Sequence, residues 1–380
     1  MEVDASRGAL RFFAHMPDPR AGNRRHLLFD LMAITLLAVL SKANDWVDVV
    51  AWGRAHEPWL RSFLQLPHGI PSHDTFARIF RKLCPQAMEN VFVAWTSHMA
   101  TASAGRLVAI DGKTLRRSFD LAAGKAAIHM VNAWSHENRL ALGQLAVDGD
   151  SNEITALPKL IELLDLKGAL VSIDAIGCQK VIAQKILEKK ADYLLAVKKN
   201  QKELHEDITF FFDESIAGKF EGISHTTCET VDGDHGRIET RRCFVVDDLA
   251  WLRKRHPHWP GLAAIVCVES ERHMKSKGSQ SPPTRRYYIT SRRADAQAML
   301  AAVRAHWGVE NPLHWSLDVT FREDENRCRK GHAAENLARI RRLALNLLRR
   351  DTSMPKTSLK TKRFLCGCDR DTLLRVLQGP

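Results

Sequence analysis

Residues 27–40 form an almost unbroken apolar run, interrupted only by Asp30 and Thr35. It is too long for one buried strand and too apolar for a surface helix, so it predicts a buried helix. A second helix is expected from Asp45, which can cap it, to a point before Pro58. A third follows Ser72 or Asp74 as cap. Its apolar positions Phe76, Ile79, Phe80 and Leu83 make one face and Arg78, Arg81 and Lys82 another. Such a helix is either a solvated surface helix or a DNA contact. Residues 1–100 therefore read as a helical N-terminal domain.

From Gly105 the period shortens. Residues 106–111, 128–134 and 140–147 are extended runs joined by turn-rich stretches, as in an antiparallel meander. A helical period returns over 154–166, followed by a strand at 169–174, a helix at 178–190, a strand at 193–197 and a helix after Lys198-Lys199-Asn200-Gln201. The predicted order is β-β-β-α-β-α-β-α, with Asp111 closing the first strand and Asp174 the fourth.

Between 221 and 290 the helical period disappears again. Extended runs at 237–246, 263–270 and 286–289 surround a Lys/Gly/Ser/Pro loop at 275–284 and predict a β-rich insertion. Helical pattern resumes at Ala294 and enters a stretch dense in charge, histidine and tryptophan, Arg304 to Asp324. Beyond it, residues 327–350 are rich in Lys and Arg with one acid, Glu335. Leu337, Ile340, Ala344, Leu347 and Leu348 share a helical face there, which would turn the basic residues outward.

Composition narrows the classes. A chain of 380 residues that is 45% hydrophobic can bury a sizeable core, and a net charge of +12 favours a polyanionic partner. The eight cysteines are mostly single and read as reduced thiols; Cys366 and Cys368 lack a second pair at zinc-finger spacing. The acidic, polar start is not a secretory signal, and the longest apolar run is far short of the ~20 residues that cross a bilayer. No membrane association and a cytoplasmic location are expected.

Two strand-terminal aspartates in this order, followed by a helical acid, Glu310, are the donor set that metal-assisted phosphodiester chemistry needs. Hard carboxylate oxygens suit Mg²⁺, which keeps several waters and needs few protein ligands. Gly112-Lys113-Thr114 resembles the tail of a phosphate-binding loop, but that motif requires glycine where this chain has Leu107, so a nucleotide hydrolase is rejected.

Several motifs carry a resemblance. Asp111 to Ser118, Ser151 to Ile154, Ile173 to Gln179, Asp192 to Gln201, His235 to Arg237 and Arg304 to Asp318 resemble, in order, the motifs of DDE-class bacterial insertion-sequence transposases. Within that class they are similar to the H-repeat-associated group, whose N-terminal associated domain Asp18 to Arg20 and Gly69 to Phe76 also resemble. The likeness covers nearly the whole chain. It implies an α/β fold with a ribonuclease-H-like (retroviral-integrase-like) catalytic core. The helical N-terminal associated domain would occupy 1–100 and bind DNA. The core would run over 101–220 and 291–350, interrupted by the β-rich insertion at 221–290, and a basic tail would follow at 351–380.

By the same resemblance Asp111, Asp174 and Glu310 are the catalytic, metal-holding triad for two Mg²⁺ ions, with Mn²⁺ able to substitute. The wider class sets a tyrosine, an arginine and a lysine around its glutamate; this chain has Val303, His306 and Leu317 at those positions. Arg304, His306 and His314 are then the expected substitutes for gripping phosphate. Lys113, Arg116, Arg117, Lys198, Lys199 and Arg237 are further expected DNA contacts, and Trp307 and Trp315 are candidates to stack on an unpaired base. Pro312 predicts a helix kinked near Glu310 or restarted with Asn311 as cap.

The implied activity is Mg²⁺-dependent cleavage at element ends and strand transfer into target DNA. The implied partners are double-stranded DNA, as terminal inverted repeats and target, and a second copy of the chain in the DNA complex. Two other readings compete: a ribonuclease-H-like nuclease that cuts without joining, and a transposase-derived DNA-binding protein without activity.

Overall fold

The computed structural model describes residues 8–22, 24–99, 106–120, 124–147, 152–234, 237–274, 279–280 and 282–378. Ser151, His235, Gly236 and much of the 275–284 loop fall outside them, as does the side chain of Arg237. The chain forms two compact units. The first comprises 1–101, 112–152 and 310–380, and the second 102–111 and 153–309.

In the first unit, α1 (Leu28–Leu40) is buried along almost its whole length, as its apolar run requires. Its one acid, Asp30, accepts a hydrogen bond from the backbone N–H of Leu66 at 2.9 Å, and burial pushes its carboxyl above the ordinary range. Helix α2 (Trp46–Ala55) is capped by Asp45, whose Oδ1 accepts from Val47 and Asp48 N–H, both at 2.9 Å. A single turn, α3 (Glu57–Leu60), carries Pro58 near its start, where a missing N–H costs nothing. Ser72, rather than Asp74, caps α4 (His73–Lys82) through Thr75 N–H. Helix α5 (Pro85–Met99) completes this group.

Strand β1 (Leu107–Thr114) runs from the second unit, which holds Leu107 to Asp111, into the first. The hairpin β2 (His129–Ser135) and β3 (Leu140–Ala146) lies wholly in the first unit.

The second unit continues with α6 (Glu153–Leu163), β4 (Leu170–Ile173), α7 (Lys180–Glu188), β5 (Asp192–Val197) and α8 (Lys202–Ala217). Thus the order β-β-β-α-β-α-β-α holds. The β-rich segment supplies β6 (Thr226–Asp234), β7 (Arg237–Val246), the short α9 (Ala250–Arg255), β8 (Ala264–Met274), β9 (Ser279–Gln280) and β10 (Thr284–Thr290). Strand β10 pairs antiparallel with β5, and β8, β7 and β6 follow in turn. The segment therefore extends the sheet that β1, β4 and β5 begin. Helix α10 (Ala296–His306) packs Met299, Leu300 and Val303 into a core with Val245, Val266 and Tyr288.

The first unit resumes with α11 (Ser316–Phe321), α12 (Ala333–Arg350), α13 (Leu359–Cys368) and α14 (Arg370–Gln378). Helix α1 packs on α12 and α13. Here the expected outward basic face is corrected: Arg339, Arg341 and Arg342 are buried. Helix α12 is covered on all sides, so its cations are matched internally. Arg339 Nε meets Glu89 Oε2 at 2.7 Å, and Arg342 meets Glu323 and Asn132 at 2.9 and 2.8 Å. All eight cysteines are free thiols. Among the described residues no helix is long and apolar enough to cross a membrane.

Candidate active site

Strands β1 and β4 are parallel neighbours, with Ile110 in register with Ile173. Neighbouring strands lie about 4.8 Å apart. Asp111 and Asp174 each stand one residue beyond that pair, so two carboxylates separated widely in sequence come to adjacent strand positions. Their predecessors are buried aliphatics on both strands, which hold the backbone that carries the acids rigid.

Asp174 is fixed further by the turn it opens. Its Oδ1 accepts from Ile176 N–H at 3.1 Å. Gly177 sits so close beneath β4 that an added Cβ would lie 2.2 Å from Ile173 Cγ2, so no side chain fits there. The turn is held from the β5 side: Asn200 Nδ2 donates to the Ala175 carbonyl at 2.6 Å, and Gln201 Nε2 to the Cys178 carbonyl at 2.9 Å. The Asn200-Gln201 motif thus acts on Asp174 through backbone carbonyls.

Burial, and then the negative charge of Glu153, raise the Asp174 carboxyl above its ordinary range, against the backbone N–H groups of Ile176 and Gly177 and the charge of Lys198. Glu153 stands in the first turn of α6. It belongs to the Ser151 to Ile154 motif, yet the sequence reading assigned it no role. An acid opening the helix after the third strand was the available signal.

Glu310 is exposed and opens a different piece of backbone. Helix α10 stops at His306, a 3₁₀ turn covers Trp307–Val309, and a π-helical turn covers Glu310–Trp315 before α11. No continuous α-helix runs through Glu310, and the alternative of a restart with Asn311 as cap is not what the chain forms. Pro312 cannot donate the α-helical bond, and the wider turn absorbs it. Arg349 Nη2 donates to the Pro312 carbonyl and, at 3.2 Å, to Ser316 Oγ. Val309 and Leu313 are buried and anchor the turn.

The residues expected to replace the class's phosphate-gripping set divide. Arg304 is exposed and meets Asp232 at 3.1 Å. His306 is buried, with Nδ1 2.9 Å from Ser172 Oγ of β4, and burial lowers its pKa to about 4. Here the imidazole is neutral, points inward and braces β4. His314 is likewise pushed down to about 3, by burial first and then by the charges of Arg342 and Lys113. It too is a neutral ring. Trp307 is partly exposed beneath the Arg286 guanidinium, 4.9 Å from its ring centre, and Trp315 is 60% exposed.

Lys113, an expected phosphate contact, is engaged by acids of its own chain. It is buried, with Nζ 2.7 Å from Asp318 Oδ1 and 3.4 Å from Asp324 Oδ1, because a buried ammonium requires a counter-charge. Arg116 and Arg117 are exposed, the former 3.1 Å from Asp324. Lys198 and Lys199 are exposed at the end of β5. The side chain of Arg237 lies outside the described residues.

Among the described residues no group of three or more His, Cys, Asp or Glu side chains is arranged to hold a metal ion. Asp111 and Asp174 nonetheless fit a hard divalent cation. They are oxygen donors on neighbouring strands, and Asp174 is a desolvated carboxylate under the field of Glu153 that a cation would relieve.

Two family models match the chain: "Transposase DDE domain" over residues 102–347 and "DDE_Tnp_1-associated" over 10–96. "Putative transposase YncI" of Escherichia coli O157:H7 is 42% identical over 93% of this chain and 90% of its own length. "H repeat-associated putative transposase YhhI" of Escherichia coli strain K12 is 37% identical, covering 93% of each chain. Among solved structures, a piggyBac transposase synaptic complex with hairpin DNA aligns at a TM-score of 0.45 and 14% identity, over 97% of this chain and 75% of that one.

Proposed function

We propose a specific site and reaction for this chain, which belongs to the DDE-domain transposase family. Membership implies a DNA-cleaving enzyme that uses a divalent metal ion, ordinarily Mg²⁺. In our reading Asp111 and Asp174 hold two such ions on a ribonuclease-H-like core, and Glu310 completes the set. The observation that carries the reading is the register of β1 and β4, which brings Asp111 and Asp174 to neighbouring positions on a rigid base. Glu310 is assigned from its motif.

When bound, the ions supply Lewis acidity that activates the attacking hydroxyl and offsets charge on the phosphodiester. The chain's own residues prepare that site. Asn200, Gln201 and the steric limit at Gly177 fix the Asp174 turn. Lys198 and Lys199 stand past β5 as phosphate contacts. Arg304, Arg116, Arg117 and Arg237 are further candidate contacts, and exposed Trp315 is a platform for an unpaired base. The reaction is hydrolysis of a phosphodiester at each element end, then attack of the freed 3′-hydroxyl on target DNA. There one phosphodiester forms as another breaks. Two copies of the chain would hold the two ends.

The test is cleavage of a duplex bearing the native element end, with Mg²⁺ or Mn²⁺, by D111A, D174A and E310A. Each variant should lose cutting by 10²-fold or more (on the order of what removal of a metal-holding acid costs) while still binding the duplex. Full cutting by any one would remove that residue from the triad. Cutting without joining of target DNA would favour a nuclease.

A further inference from the structure

Within the first unit, α4 and the segment 326–330 enclose an open cavity of about 560 Å³. Its apolar lining includes Trp46, Val47 and Ala77. Arg81, Arg327, Arg329 and Lys330 also line it, against Asp45 and Asp120. Asp45 is occupied in capping α2. Among the described residues, no carboxylate pairs with Arg81, Arg327 or Lys330 within 4.0 Å, in contrast to the arginines of α12. Four cations against two carboxylates leave the recess net positive, and an anion relieves that repulsion.

The walls are fixed. Gly331 has φ +53°, and an added Cβ would lie 2.7 Å from the Arg81 carbonyl, so the segment can approach α4 only because this residue is glycine. His332 N–H donates to that same carbonyl at 3.2 Å. Asn326 Nδ2 donates to the Asn44 carbonyl at 3.1 Å, and its Oδ1 accepts from Cys328 N–H at 3.0 Å. Arg329 is laid over the Phe119 ring, 4.6 Å from its centre, with Nε directed at the Arg117 carbonyl. Arg78 and Lys82 extend the exposed cations of α4 beyond the cavity.

We infer that this cavity is a seat for the sugar-phosphate backbone of duplex DNA, with phosphates on Arg81, Arg327 and Lys330 and a deoxyribose against Val47 and Ala77. Cations that track a backbone position DNA without reading its sequence. The seat shares no residue with the proposed metal-holding acids, and it rests on the reading that this chain acts on DNA. It also gives a chemical role to the basic face of α4, which sequence alone left open between solvation and contact.

The experiment measures binding of a labelled element-end duplex by the full chain across a salt series. Neutralising Arg81, Arg327 and Lys330 together to Ala should lower the log–log salt slope by about 2 to 3, since each phosphate contact contributes about 0.9. R81K with R327K should keep the parent slope. A second measurement uses Val47, which is 62% exposed. V47C in a C84S/C368S background should form a disulfide with a duplex carrying a backbone thiol tether, and loss of the three cations should abolish it. An unchanged slope with equal cross-linking would overturn the seat while leaving DNA action intact. A parent chain that binds no duplex at all would overturn both.

Discussion

The ammonium of Lys113 lies 2.7 Å from Asp318 Oδ1, although the two residues are 205 positions apart. Lys113 is buried and Asp318 is about one-third exposed. Asp318 is raised above the ordinary carboxylate range by burial first, with Lys113 acting against that rise. K113A should therefore destabilise the chain by about 1–3 kcal/mol, less than for a fully buried pair because water still reaches Asp318. Urea unfolding of K113A, D318N and the double variant reads this. Equal losses that simply add would show that the two groups do not interact.

The pair Glu89 and Arg339 should cost more to break. Both side chains are almost fully buried, and Glu89 also accepts Gln144 N–H at 2.7 Å. E89A should lose about 3–5 kcal/mol, the usual result of leaving one buried charge uncompensated. E89L with R339M, apolar on both sides, should recover most of it. Denaturant midpoints with unchanged m-values would check the comparison, and a double variant as weak as E89A would refute it.

Acid should act on stability through His306. Burial holds its folded pKa at about 4, below the unfolded value of 6.5. The unfolded chain therefore takes up the proton first, so this contribution is intact above about pH 6.5 and is lost as pH falls from there towards 4. The shift corresponds to about 3 kcal/mol. Because Glu89 and Asp30 are raised carboxyls whose contribution has the opposite sign, the measurement is a difference. The stability gap between the parent and H306N should narrow by about 3 kcal/mol between pH 7 and pH 4. A constant gap would mean that His306 charges equally in both states.

Gly177 should tolerate no side chain. With Ile173 Cγ2 2.2 Å from where a Cβ would stand, G177A must push β4 or the turn aside, at about 1–3 kcal/mol. Thermal unfolding should show the loss. Amide signals of Ile176 and of Gln201 should also shift, since the displaced turn carries the bonds that fix Asp174. A variant as stable as the parent, with those signals unmoved, would contradict the packing described.

Much of the site's framework was legible from local pattern. The alternation of periods 2 and 3.6 located the strands and helices of the core, and Asp45 was readable as a cap because a cap bonds within three residues of itself. Asp111 and Asp174 stood out because each ends an aliphatic run. The family motifs then named them together with Glu310.

Other features were settled only by the tertiary structure. Helical periodicity gave Arg339 and Arg342 a solvent face, but Glu89, Glu323 and Asn132 come to them and make them interior residues. Lys113 is expected just past a strand closed by Asp111, but β1 runs on to Thr114 and Asp318 pairs with Lys113 inside it. His306 occupies the arginine's place in the motif, and Ser172 and burial make it a neutral brace. The β-rich segment could have been a separate lobe, but β10 pairs with β5 and makes it part of one sheet. The physical reason is common to all four. Period and capping depend on neighbours within a few residues, whereas burial, counter-charge and protonation depend on whichever distant residues the fold brings alongside.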